Sequence, residues 1–204
     1  VGVEYDLEHW NDRFVIKTNI GGAEDYKIVT APVANPGPEN WTDLIPHRPG
    51  IFLVGFIVLK NWLVRMEREN ALPRIVVRDM ASGAEHAIAF DEEAYSLGFG
   101  EMREYDTDVL RFTYSSMTTP AQVYDYDMRK RTRVLRKTQI VPSGHDAAQY
   151  VTPRVQAPAH DGVQALAQAE PQAEPRVACA VERLEHVRQR LGRNAGTVVD
   201  DAQP

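Results

Sequence analysis

The feature that most constrains this chain is a repeat. Lys27-Ile28-Val29, Arg74-Ile75-Val76 and Gln122-Val123-Tyr124 occupy one phase, with steps of about 47 and 48 residues between them. Each is preceded by a run of β-branched and aromatic residues: Phe14-Val15-Ile16, Trp62-Leu63-Val64 and Leu110-Arg111-Phe112-Thr113-Tyr114. Each is followed by a further run, Trp41 to Ile45, His86 to Phe90 and Arg133 to Lys137. A fourth run opens each group: Val1 to Tyr5, Ile51 to Phe56 and Tyr95 to Phe99. Turn chemistry punctuates the runs at Asn19-Ile20-Gly21-Gly22, Asn70-Ala71-Leu72-Pro73, Ala81-Ser82-Gly83 and Thr118-Thr119-Pro120. Units of four antiparallel strands, repeated in this way, predict an all-β chain: a partial β-propeller of about three four-stranded blades. A β-sandwich with evenly spaced strands is the alternative.

Three blades form an arc rather than a ring. Each blade buries its two faces against its neighbours, so an arc leaves the flanks of its first and last blades uncovered. More chain, or a partner, is expected to complete it. The opening Val1-Gly2-Val3-Glu4 has neither an initiator Met nor a basic-then-apolar leader, and the expectation is a chain that begins inside something larger.

Composition narrows the function classes. Of 204 residues, 43% are hydrophobic and 25% charged, and the net charge of −6 argues against a nucleic-acid partner. The longest apolar run, Ile51 to Leu59, is far short of the roughly 20 residues that cross a bilayer, so no membrane partner is expected. Cys179 stands alone and cannot close an internal disulfide, which makes a cytoplasmic setting the expectation. The composition is also uneven. The 3 Trp, 8 Tyr and 6 Phe all fall before residue 165, whereas residues 165–204 are dominated by Ala, Gln, Glu, Arg, Pro and Val. In that tail Val177, Val181, Leu184, Val187 and Leu191 fall at near-helical spacing before Gly192, which predicts one short helix at about 176–191.

The run from Asp106 through Thr113-Tyr114-Ser115-Ser116-Met117-Thr118-Thr119-Pro120, followed by Val123-Tyr124-Asp125-Tyr126-Asp127-Met128, resembles the last propeller blade of oligopeptidase B. Oligopeptidase B belongs to the prolyl oligopeptidase family of serine peptidases. Leu44-Ile45-Pro46-His47-Arg48, Glu67-Arg68-Glu69-Asn70-Ala71-Leu72-Pro73, Val77-Arg78-Asp79 with Ala81-Ser82-Gly83, and Asp12-Arg13-Phe14 add to the likeness in the family's order. Tyr150-Val151-Thr152-Pro153-Arg154-Val155 with His160-Asp161-Gly162-Val163 is similar to the hinge between propeller and catalytic domain, although many relatives have Arg where His160 stands.

The resemblance implies a seven-bladed propeller that gates an α/β-hydrolase domain cleaving short basic peptides after Lys or Arg. Residues 1–149 would be its C-terminal blades and 150–164 the hinge. No Gly-x-Ser-x-Gly occurs anywhere in the chain, so the family's catalytic Ser, Asp and His have no counterparts and no catalytic residue is assigned. The chain by itself is expected to be inactive. Residues 165–204 are expected to be a non-homologous tail arising from a frameshift or truncation, with an evolved tail as the alternative. A non-enzymatic propeller-arc module, completed by self-association or by a separate hydrolase chain, is the alternative function.

The remaining candidates are weighed on their chemistry. Ser115 and Ser116 lack an elbow or oxyanion-hole motif and read as turn residues. In His145-Asp146 and His160-Asp161 the adjacent side chains of an extended chain point to opposite sides, so neither pair is a ready dyad. His9, His47, His86, His145, His160 and His186 show no metal-ligand spacing, and neither metal nor cofactor is expected. The basic run from Arg129 to Lys137 reads as an outer hairpin paired with Asp125 and Asp127. Asp91-Glu92-Glu93 and Glu101 to Asp108 read as connecting loops or as attractors of basic peptides. Arg154, in the hinge, is the one candidate contact to substrate or to the opposite domain.

Overall fold

The computed structural model describes residues 2–151, 154–158, 164–168 and 172–173. Its body consists of three four-stranded antiparallel meanders. The first is β1 (Tyr5–Trp10), β2 (Arg13–Thr18), β3 (Lys27–Pro32) and β4 (Thr42–Ile45), in that spatial order. The second is β5 (Ile51–Val58), β6 (Trp62–Glu69), β7 (Leu72–Asp79) and β8 (Glu85–Ala87). The third is β9 (Ser96–Phe99), β10 (Val109–Ser115), β11 (Gln122–Asp127) and β12 (Thr132–Thr138). The three predicted blades are therefore present, with third strands at the predicted phase. No helix among the described residues is long and apolar enough to cross a membrane.

Two boundaries differ from the sequence reading. The opening strand is Tyr5–Trp10 rather than Val1 to Tyr5, because Trp10 pairs with Arg13 across the two-residue turn Asn11-Asp12, with Asn11 at φ 53. Leu72 and Pro73 belong to β7, so the turn between β6 and β7 is only Asn70-Ala71, both in the left-handed region. That tight primed turn matches the twist of the strands it joins.

The alternation of side chains along each strand explains the stacking. On β6, Val64 and Met66 point with Ile75 and Val77 of β7 toward the third sheet, where they meet Leu110, Phe112, Tyr114 and Tyr126. Leu63 points the other way, with Phe56 and Val58 of β5, and packs with Val15, Ile28 and Ile45 of the first sheet. The middle sheet is thus covered on both faces.

The two outward flanks are both mixed. The first sheet has exposed Tyr5 (66%) and Leu7 (46%) beside His9 and Phe14, over buried Ile16 and Val29, and on the same face Lys27 pairs with Asp43 (2.9 Å). The third sheet presents Val109, Arg111, Thr113 and Val134 with Asp125, and there Asp125 is held by Arg111 (2.7 Å) and Arg136 (2.7 Å). Each flank sets an ion pair beside apolar side chains.

Beyond the third sheet lie two short ladders. β13 (Tyr150–Val151) pairs with β16 (Gln172–Ala173), and β14 (Arg154–Pro158) pairs with β15 (Gln164–Gln168). Regular pairing therefore crosses the expected hinge boundary at residue 164. The helix expected at about 176–191, Cys179, and the pair His160-Asp161 lie outside the described residues.

Candidate functional site

In a meander the connections alternate between the two ends of the sheet. The β2–β3, β4–β5, β6–β7, β8–β9 and β10–β11 connections therefore gather at one end, and the chain leaves β12 at that same end. Three clusters of side chains build this face, and they are made largely from the motifs that carried the family likeness.

The first cluster holds the connector Pro46 to Gly50. The Asp25 carboxylate accepts the Gly50 amide (2.7 Å), the Asp25 amide donates to His47 Nε2 (3.4 Å), and the Asp25 carbonyl accepts the Leu53 amide (3.0 Å). A single Asp thereby fixes the route from first blade to second.

The second cluster is a buried ionic network on the face of the middle sheet toward the first. Arg65 and Glu67 are both fully buried. Arg65 Nε donates to Glu67 (3.0 Å), and its two terminal nitrogens form a fork onto Glu85 (3.0 and 2.8 Å). Glu67 also accepts from Arg74 (3.0 and 2.8 Å) and from Arg48 of the connector. Burial alone would raise the Glu67 carboxyl, yet the surrounding Arg65, Arg74 and Arg48 hold it below the usual carboxylate range. Removing both charges from water is costly unless every lone pair is met, and here both carboxylate oxygens are met.

The third cluster fastens the departing chain. Glu92 accepts from Tyr114 (2.7 Å), Thr118 (3.0 Å) and Thr119 (2.6 Å), so the second-to-third connector grips the β10–β11 turn. Burial and then the bond to Glu92 push the Tyr114 phenol up, and it acts as a permanent donor. His145 Nε2 lies 2.6 Å from the Thr118 carbonyl, which can only accept, so that nitrogen carries the hydrogen. The His145 ring stacks on Tyr150 at 5.6 Å. Chain leaving the third blade is in this way laid back onto the turn.

These contacts place the sequence candidates. Ser116 Oγ accepts the amides of Thr118 (3.0 Å) and Thr119 (2.8 Å), and Ser115 closes β10 opposite Ser96. His145 bonds the turn carbonyl instead of either serine, so the described residues bring no serine to a base. Asp146 caps the short 3-10 turn Ala147–Gln149. Of the acidic stretches, Glu92 is the turn grip, Asp106 pairs with Lys60 and Asp108 accepts from Trp62 and Arg129. The basic run has Arg136 on Asp125 and Lys130 on Asp127, but Arg129 reaches back to Asp108 and Arg133 lies over the rings of Phe90 and Tyr124. Arg154 opens β14 opposite Gln168, and its side chain lies outside the described residues.

Sequence reasoning passed over the Arg65–Glu67–Glu85 network and the Glu92 grip. The first left a signal: Arg65 inside the apolar run Trp62 to Met66 with Glu67 directly after it, and Arg74 directly opposite Glu67 in the β6–β7 register. The second left none, because Glu92 and Thr118 meet only once β9 pairs with β10 and brings the chain entering β9 beside the β10–β11 turn.

Comparison with known proteins fits this geometry. Residues 1–139 match the family "Prolyl oligopeptidase, N-terminal beta-propeller domain". The chain is 44% identical over 160 residues to dipeptidyl aminopeptidase BI of Pseudoxanthomonas mexicana, covering 78% of this chain and 22% of that one. Oligopeptidase B from Leishmania major superposes with a TM-score of 0.76 at 29% identity, covering 82% of this chain and 24% of the other. Oligopeptidase B from Trypanosoma brucei, in a closed form with covalently bound antipain, gives a TM-score of 0.75 at 28% identity over 82% of this chain and 25% of that one. The chain thus spans about a quarter or less of the length of these relatives.

Proposed function

Because this chain belongs to the prolyl oligopeptidase family, through its N-terminal β-propeller domain, we propose that it is the stretch of propeller that covers a serine peptidase's α/β-hydrolase domain and admits short peptides to it. The observation that carries the reading is the crowded end of the three sheets. There the Glu92 grip and the docking of His145 on Thr118 hold the chain leaving the third blade against the β10–β11 turn, at the end shared by the other connections, and in this reading that end faces the catalytic domain. Residues 150–164 act as the hinge, with Arg154 facing substrate or the opposite domain. Residues 165–204 are a tail foreign to the family, and translation of the other reading frames behind Val163-Gln164 tests this by seeking hydrolase strands and a Gly-x-Ser-x-Gly. The whole protein works in the cytoplasm.

The substrate reading is cleavage of short peptides after Lys or Arg, supported by the likeness to oligopeptidase B. The name of the 44% identical relative favours release of dipeptides as a second substrate reading. A full-length protein carrying these blades separates the two: an N-blocked Arg amide is cleaved only under the first, a free-amino dipeptidyl amide under the second.

The 204-residue chain alone is expected to hydrolyse neither amide. Turnover that copurifies with the chain and disappears in Ser116→Ala would overturn the assignment. Added to the separately produced catalytic domain of a relative, the chain is expected to bind, and His145→Ala to weaken that binding. A non-enzymatic module remains the second functional reading because of the exposed Tyr5 and Leu7 on the first sheet. It requires a well-folded oligomer whose population rises with concentration and which ignores the catalytic domain.

A further inference from the structure

The second and third blades use the same turn after their third strands, 48 positions apart in register. Asp79 Oδ1 accepts the amides of Ala81 (2.9 Å) and Ser82 (2.8 Å), and the Gly83 amide closes on the Asp79 carbonyl (2.9 Å). Asp127 Oδ1 accepts the amides of Arg129 (3.1 Å) and Lys130 (2.8 Å), and the Arg131 amide closes on the Asp127 carbonyl (2.8 Å). Each turn ends on a left-handed residue. In the second blade it is glycine, Gly83 at φ 74, and in the third it is Arg131 at φ 59. A side chain there costs about 1 kcal/mol or more relative to glycine. The turn itself gives no reason for an arginine.

Nor does ion pairing within the chain. Around this hairpin Arg129 is matched by Asp108, Lys130 by Asp127 and Arg136 by Asp125, while Arg133 donates to the Ala89 carbonyl at 2.7 Å. The Arg131 guanidinium makes no ion pair or hydrogen bond among the described residues. It lines a cleft of about 280 Å³ between β8 and the β11–β12 hairpin, together with His86, Ile88, Tyr126 and Arg133 and with no acidic side chain. Tyr126 is 4% exposed and its hydroxyl sits 3.0 Å from His86 Nε2, at the floor of the cleft. Asp127, the nearest carboxylate in sequence, is turned away onto the turn amides and Lys130.

An unmatched guanidinium, held in a strained backbone position above a cleft with a second arginine and a tyrosine–histidine pair, is the donor set of an anion subsite. We propose that the cleft between the outer edges of the second and third blades binds a small oxyanion, the phosphate or carboxylate group of a ligand, with Arg131 as its principal donor. Burial and the nearby Arg131 keep His86 below the ordinary histidine range, so the imidazole is neutral when the anion arrives and serves as a reporter of it.

The test is an NMR titration of the 204-residue chain with inorganic phosphate and, separately, with acetate. Both are compared with sodium chloride at matched ionic strength. Saturable shifts at Arg131, Arg133 and His86 with one or both oxyanions are expected, and the arm that saturates identifies the group. Arg131→Gly keeps the turn, since glycine suits φ 59, and should weaken binding by about tenfold or more, the loss of a charge-assisted donor. Arg129→Ala, which removes a neighbouring cation already paired with Asp108, should leave binding within about twofold. Shifts that follow ionic strength alone, or an Arg131→Gly protein that binds as tightly as the parent, overturn the proposal.

Discussion

Glu67 is the residue on which the middle blade leans most heavily. It is fully buried and faces three arginines, so its neutral isostere leaves Arg65 held by Glu85 alone and takes away the ion-pair partner of Arg48. Glu67→Gln should lose about 1 to 3 kcal/mol of stability by denaturant titration, the range for leaving a buried polar partner unmet. His86 predicts a separate pH dependence. Burial first, and then Arg131, lower its folded pKa below the unfolded value of about 6.5. Below that pH the unfolded chain takes up a proton that the folded chain refuses, so stability is full above about pH 6.5 and falls as the pH drops through the folded value. Thermal melts from pH 7.5 to 5 should show this slope, and His86→Gln should flatten it. Glu67 and Glu85, lowered by their arginines against the opposing effect of burial, add a second loss only at more acid pH.

At the scale of elements, turn geometry decides what the sequence could disclose. Ala71 sits at φ 62 in the Asn70-Ala71 turn, where glycine is the better residue. Ala71→Gly should raise stability by about 1 kcal/mol, read from the urea midpoint at unchanged m-value. The third strands and the four-strand period were legible because their inward residues, such as Ile28, Ile75 and Val76, are β-branched and flanked by turn chemistry. β1 was misplaced because Tyr5 to Trp10 alternates large and charged residues on an exposed edge, and only its register with β2 through the Asn11-Asp12 turn fixes it. The crowded end of the sheets was legible as motifs and illegible as a site. Arg65 and Glu85 are separated by a whole hairpin, and His145 reaches Thr118 only after the third meander has formed. Local pattern records which strand a residue belongs to, whereas these contacts depend on which strand ends coincide.

For the whole molecule, the stacking order predicts the order of opening. Blades touch only their neighbours, so the stack behaves as a short linear array in which the central unit is doubly supported. Hydrogen exchange should be slowest at the β6 and β7 amides, whose side chains pack on Leu110 and Phe112 on one side and on Val15 and Ile28 on the other. The first and third sheets should exchange faster, and equal protection in all three would contradict a stack of semi-independent blades.

The two flanks share a consequence for whatever covers them. Lys27–Asp43 lies beside Tyr5 and Leu7 on the first sheet, and Arg111–Asp125–Arg136 lies beside Val109 and Val134 on the third. Desolvating such pairs against purely apolar side chains is costly, so a neighbour that fits either face must bring polar groups to the pair as well as apolar ones to the rings and branched chains. The faces select for a partner surface of the same mixed kind.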